Sequence, residues 1–175
     1  FAHDTPIYME GAGHADPDAV ALLRGRLDGR LTPMPQGAVR LVIGEAGDKA
    51  VKAYRKHIPA QAEGYYLSIG PGLVVIAGRD GAGTYYGVRT FLQAWEQQRV
   101  MQCAIEDWPS VACRGVIEGF YGNPWSHQDR LRQFDFYGQN KLNTYVYGPK
   151  DDPYHRAHWR DPYPQEEAGR LAELV

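Results

Sequence analysis

The sequence is poor in cysteine, in clustered charge and in long apolar runs, and each shortage excludes a class of protein. Its two cysteines, Cys103 and Cys113, lie ten residues apart and form neither a disulfide framework nor a metal-ligand motif. Both are expected to be buried or inert. Nineteen Lys and Arg against 21 Asp and Glu leave a net charge of −2. No basic block stands out, so neither nucleic acid nor an anionic membrane surface is an expected partner. The longest uncharged stretch, Gly64–Gly78, contains Ser68, Gly70, Pro71 and Gly72, too short and too broken to span a bilayer. No GxGxxG follows a strand, which disfavours dinucleotide binding.

What is present is aromatic and turn-rich: 12 Tyr, 4 Trp, 20 Gly and 12 Pro in 175 residues. That composition suits turn-rich α/β structure. The aromatics are read as core before sugar-stacking surface, since large rings usually pack inside. The chain begins at Phe1 without a leader-like segment, and the helical pattern Glu166–Val175 (EEAGRLAELV) stops with no Gly or Asn cap. A piece of a longer chain is the expectation. Compartment is not legible, and a secreted or periplasmic location rests only on the resemblance described below.

Local signals divide the chain into two textures. Asp16-Pro17 starts a helix with a capping carboxylate and a first-turn proline. Ala19, Val20, Leu23, Leu27 and Leu31 continue it at helical spacing until Pro33 and Pro35. Ala38–Gly44 reads as a β-branched strand, and Asp48 as the cap of a second helix through His57. Tyr65–Ile69 and Leu73–Ala77 form a hairpin across Pro71-Gly72. Asp80–Gly83 reads as a breaker loop, and Thr84–Gln97 as an amphipathic helix with Tyr85, Val88, Leu92 and Trp95 on one stripe. These elements predict a small α+β sandwich over residues 1–108, one sheet covered by helices.

Beyond Asp107-Trp108-Pro109-Ser110 the order becomes strand (Arg114–Glu118), helix (Ser126–Gly138), strand (Leu142–Tyr147) and helix (Gln165 onward). Val116 and Tyr145 lie 29 residues apart, close to the roughly 31 residues per unit of a (β/α)₈ barrel. Residues 109–175 are therefore expected to hold the first two βα units of a truncated TIM barrel, and the fold class is α/β. A site in such a barrel lies at the C-terminal ends of the strands. Gly119 and Lys150 follow the two strands there.

Two blocks, EGFYGNPW (Glu118–Trp125) and NTYVYGPKDDPYHR (Asn143–Arg156), resemble the start of the catalytic barrel of glycoside hydrolase family 84. That family includes O-GlcNAcases and bacterial hyaluronidase-like enzymes. More loosely, GTYYGVRTFLQ (Gly83–Gln93) resembles the appended N-terminal domain of hexosaminidases. The resemblance implies a retaining, substrate-assisted N-acetyl-β-glucosaminidase that needs no metal or organic cofactor and whose partner is a terminal N-acetylglucosamine of glycans or glycoproteins. It also implies that the backbone at Gly119 and the amine of Lys150 hold sugar hydroxyls, and that Tyr121 matches an aromatic near the pocket floor.

Bland readings stand beside these. Phe120, Trp125, Tyr145 and Tyr147 are read as packing residues, and His127 as an exposed first-turn residue. His155, Arg156 and His158 lack metal-ligand spacing. Asp151-Asp152 looks like the carboxylate pair that glycoside hydrolysis usually needs. Adjacent side chains on an extended chain point to opposite faces, however, and the family's catalytic Asp pair is expected downstream of Val175. Both are therefore read as ordering their loop with Arg156 or Arg160. On this reading the 175 residues alone are inactive. Two alternatives remain: a glycan-binding barrel without catalysis, and a family 20 β-hexosaminidase.

Overall fold

The structure, a computed structural model, describes residues 4–96 and 101–174. The chain divides into two units, Phe1–Ser110 and Val111–Val175.

In the first unit, strands β1 (Ile7–Glu10), β2 (Val39–Glu45), β3 (Tyr65–Gly70), β4 (Leu73–Gly78) and β5 (Cys103–Asp107) form one mixed sheet in the order β1-β2-β4-β3-β5. β1, β2 and β4 run parallel; β3 is antiparallel to both β4 and β5. Period-two alternation sets the two faces. Leu41, Ile43, Leu67, Ile69, Val74 and Ile76 point into a core shared with helices α1 (Pro17–Arg26) and α2 (Gly81–Trp95), while Val42, Val75 and Tyr66 point into a smaller cluster with Val51 and Ala77. Burying a side chain such as Leu67 or Phe91 completely stabilises by roughly 1.5–3 kcal/mol.

The Asp16 carboxylate accepts from the Ala19 N–H at 2.8 Å, as its position before Pro17 predicts. Several expectations need correction. α1 stops at Arg26, and Leu31 instead bridges Ile7. Gly25 and Gly29 lower the helical propensity there, and Gly29 adopts φ 75°. Asp48 caps no helix: its carboxylate accepts from the Glu45 N–H at 2.7 Å, and only a 3-10 turn, Lys52–His57, follows. Asp80–Gly83 is not a loop but the start of α2, with Asp80 accepting from the Gly83 N–H at 2.8 Å. Strands β1 and β5 were not expected from the sequence. Neither cysteine is fully buried: Cys103 is half-buried and Cys113 exposed. Gln97, the expected end of α2, and Val175 lie outside the described residues.

The second unit contains β6 (Gly115–Glu118), α3 (His127–Gln139), β7 (Thr144–Tyr147) and α4 (Gln165–Glu173). β6 and β7 are parallel neighbours, with Glu118 opposite Tyr147. Ser126 caps α3 by accepting from the Asp129 N–H, and Lys141 at φ 59° turns the chain out of that helix. Tyr145 packs on Phe134 and Tyr137 of α3. Ile117 and Val146, at positions that alternate with these, are 69% and 46% exposed.

Candidate functional site

The parallel pairing brings two loops together at the C-terminal ends of β6 and β7. Gly148 N–H donates to Glu118 O at 3.0 Å, and Lys150 N–H donates to Phe120 O at 3.0 Å. Gly122 N–H donates to Asp151 Oδ2 at 2.8 Å. Gly119 and Lys150 thus follow adjacent strand ends, on loops joined by three hydrogen bonds. Lys150 is exposed, and Tyr121 stands 77% exposed on the same loop as Gly119. Phe120 and Trp125 pack on each other with ring centroids 5.4 Å apart.

Beneath the loops lies a set of buried polar side chains. Glu118 is fully buried and accepts from Arg130 Nε and Nη2, each at 2.9 Å, from the Tyr145 hydroxyl and from the Trp125 N–H at 3.0 Å. Burial pushes its carboxyl up, but the hydrogen bonds from Arg130, Tyr145 and Trp125, with the guanidinium charge, outweigh it and hold the carboxyl below its usual range. Those bonds to Glu118 in turn raise the pKa of Arg130. The Arg130 guanidinium also lies over the Tyr147 ring, 4.9 Å from its centroid.

Asp152 forms the second anchor. It is 4% exposed and accepts from the Tyr147 hydroxyl at 2.6 Å, the Tyr163 hydroxyl at 2.9 Å and the Tyr154 N–H at 2.7 Å. Burial opposes its ionisation, yet these donors and the nearby His155 keep its carboxyl below the ordinary range. Tyr163 shows the converse: burial and its bond to Asp152 push the phenol up to about 12.

These contacts correct the reading of the acidic pair. Asp151 and Asp152 order the loop through two backbone N–H groups and two tyrosine hydroxyls, not through Arg156 or Arg160. The segment is not extended either, because Asp152 N–H donates to Pro149 O in a turn, and both residues line one cavity. Arg156 instead donates to Lys150 O at 2.6 Å. His127 is not simply exposed: its Nε2 pairs with Glu173 at 2.8 Å and its Nδ1 is buried without a partner.

That cavity, about 640 Å³, is lined by Trp125, His127, Arg130, Asp152, Tyr163 and Arg170 among others. Neither Gly119 nor Lys150 lines it. Its buried charged groups already have partners, Arg130 in Glu118 and Asp152 in two tyrosine hydroxyls, so it marks the anchoring layer on the α3–α4 side of the strands. Of the residues the sequence reading missed, Glu118 and Arg130 matter most. The one sequence signal was an acidic residue ending an otherwise apolar strand.

Residues 114–175 match the family model described as beta-N-acetylglucosaminidase, and residues 2–108 match that of glycosyl hydrolase family 20, domain 2. The Protein O-GlcNAcases of Rattus norvegicus and Mus musculus are each 49% identical to this chain over 61 residues, 35% of this chain and 7% of theirs. A solved structure, CpGH84B, matches all of this chain with a TM-score of 0.81 and 32% identity. The chain belongs to glycoside hydrolase family 84. A second family 84 structure, CpGH84D, shares the fold over 97% of the chain at a TM-score of 0.80 and 24% identity. The chain spans 32% of the length of CpGH84B and about 7% of the curated family 84 relatives it matches.

Proposed function

We propose that this chain supplies the appended domain, residues 1–108, and the first two βα units, residues 109–175, of a (β/α)₈-barrel N-acetyl-β-glucosaminidase. The observation that carries this reading is the joined pair of loops above parallel strands, where Lys150 N–H donates to Phe120 O. Barrel sites are built at these strand ends. The exposed apolar positions Ile117 and Val146 support the barrel, since parallel sheets are normally covered on both faces. The family 20 match is confined to residues 2–108, whereas the segment with Gly119 and Lys150 matches the β-N-acetylglucosaminidase family.

The substrate is a terminal β-linked N-acetylglucosamine. Gly119 offers backbone without a side chain in the way, and the Lys150 ammonium offers charged donors worth about 1.5–3 kcal/mol each to a sugar hydroxyl. Tyr121 provides an aromatic face beside them. The reaction is retaining and substrate-assisted: the 2-acetamido carbonyl attacks the anomeric carbon to give an oxazoline, and water then opens it. One carboxylate orients the acetamide, while a second protonates the leaving oxygen and then activates water. Asp151 and Asp152 fill neither role, being committed to Gly122 and to the tyrosines. The catalytic Asp pair lies beyond residue 175, so these residues alone are inactive.

Turnover of an aryl N-acetylglucosaminide by the 175-residue chain is expected to equal the blank. A rate well above it would place the catalytic carboxylates within these residues. In the full-length protein, Lys150→Ala is expected to raise KM about tenfold, the loss of one charged hydrogen bond.

A further inference from the structure

Glu118 ends β6 immediately before Gly119, and its fully buried carboxylate is costly unless every lone pair is used. Three of its four contacts, two from Arg130 and one from Tyr145, come from α3 and β7. The fourth is the Trp125 N–H, at 3.0 Å. Trp125 closes the loop that Gly119 opens, so the whole of Gly119–Pro124 departs from and returns to one carboxylate. Phe120 O within that loop receives the Lys150 N–H. We propose that Glu118 is a positioning residue for sugar binding, holding the Gly119 loop and, through Phe120, Lys150 in register. The proposal rests on the functional reading above.

A buried Glu–Arg pair often does no more than fill space, and apolar residues of similar volume replace it without loss of stability. The Trp125 contact separates the two roles. An apolar pair at 118 and 130 preserves packing but leaves the Trp125 N–H without its acceptor, freeing the loop. Glutamine at 118 does the reverse. Its amide oxygen still accepts from Trp125, while the loss of charge leaves Arg130 buried with Glu167, 3.8 Å away, as its remaining ion-pair partner.

The test measures inhibition by N-acetylglucosamine and the melting temperature in the full-length protein. The double variant Glu118→Met with Arg130→Met is expected to melt near the wild type yet to weaken the inhibition constant about tenfold. Glu118→Gln is expected to melt lower while keeping the inhibition constant within about threefold of wild type. A double variant that binds the sugar as well as wild type overturns the positioning role. So does a Glu118→Gln protein that loses affinity as fully as the double variant does. Should the double variant fail to fold, a second apolar pair that also removes the Trp125 acceptor, Glu118→Leu with Arg130→Leu, takes its place, with the same expected loss of about tenfold and the same overturning result. Lys150→Ala keeps the two readings apart. If it leaves inhibition unchanged, the sugar site itself is misplaced; if it weakens inhibition while the Glu118 variants do not, only the positioning role falls.

Discussion

The Gly122 N–H donates to Asp151 Oδ2 at 2.8 Å, tying the loop after β6 to the loop after β7. Asp151 neighbours Lys150, so this bond helps fix where the Lys150 backbone lies relative to Gly119. Asp151→Ala is expected to raise KM for an aryl N-acetylglucosaminide about threefold in the full-length protein, with kcat little changed. Asp151→Asn keeps an acceptor oxygen and is expected to remain near wild type. Equal effects from both substitutions would mean that the charge, not the bond, is what matters.

Gly122 itself adopts φ 99°, and a methyl group there would meet nothing within 4 Å. The cost of Gly122→Ala is therefore conformational alone, about 1–3 kcal/mol. Denaturant unfolding is expected to show it as a lowered midpoint, with Gly122→Asn affected less because Asn tolerates positive φ. A neutral alanine would show that the loop relaxes freely.

Gly83 presents the opposite case. A Cβ there would sit 2.1 Å from Gly64 O, where the first turn of α2 presses on the chain entering β3. Gly83→Ala is expected to destabilise by about 1–3 kcal/mol or more, as overpacking does. Gly25, inside α1 with open space around it, should behave differently. Gly25→Ala is expected to stabilise by about 0.5–1 kcal/mol. Thermal melts of the two variants are expected to move in opposite directions.

Acid should loosen the second unit. Glu118 and Asp152 both hold their protons more weakly in the folded chain than at their ordinary values of 4.5 and 3.8. A depressed folded pKa contributes stability that is fully present above the unfolded value and is lost as pH falls through the folded one. The unfolding midpoint is thus expected to be insensitive to these groups near neutrality and to drop below pH 4.5. The Glu118→Met, Arg130→Met protein should lose part of that acid sensitivity. An identical acid profile in that variant would remove Glu118 from the explanation.

Much of this architecture was legible because its signals are local. Asp16-Pro17 and Ser126 cap their helices through bonds three residues long, and the Pro71-Gly72 hairpin is read from its turn. β1 escaped notice because Ile7–Glu10 is only four residues long, and β5 because Cys103–Asp107 alternates half-buried with exposed positions at the edge of the sheet. Asp48 misled because a carboxylate before a polar stretch looks like a helix cap, whereas its own turn claims it. Motif and spacing placed Gly119 and Lys150 after adjacent parallel strands, and there they lie. The Glu118–Arg130 pair and the Asp152–Tyr147–Tyr163 cluster depend on which strand and helix faces meet, and no local pattern announces that. Asp152 in particular was expected to order its loop, but with an arginine, whereas its partners are Tyr147 and Tyr163.

The most direct test of the site is a crystal structure of the full-length protein with N-acetylglucosamine bound. The expected result is a sugar between the two strand ends, its hydroxyls within hydrogen-bonding distance of Lys150 Nζ and of the backbone at Gly119. A sugar bound elsewhere, with neither Lys150 nor Gly119 in contact, would contradict the account.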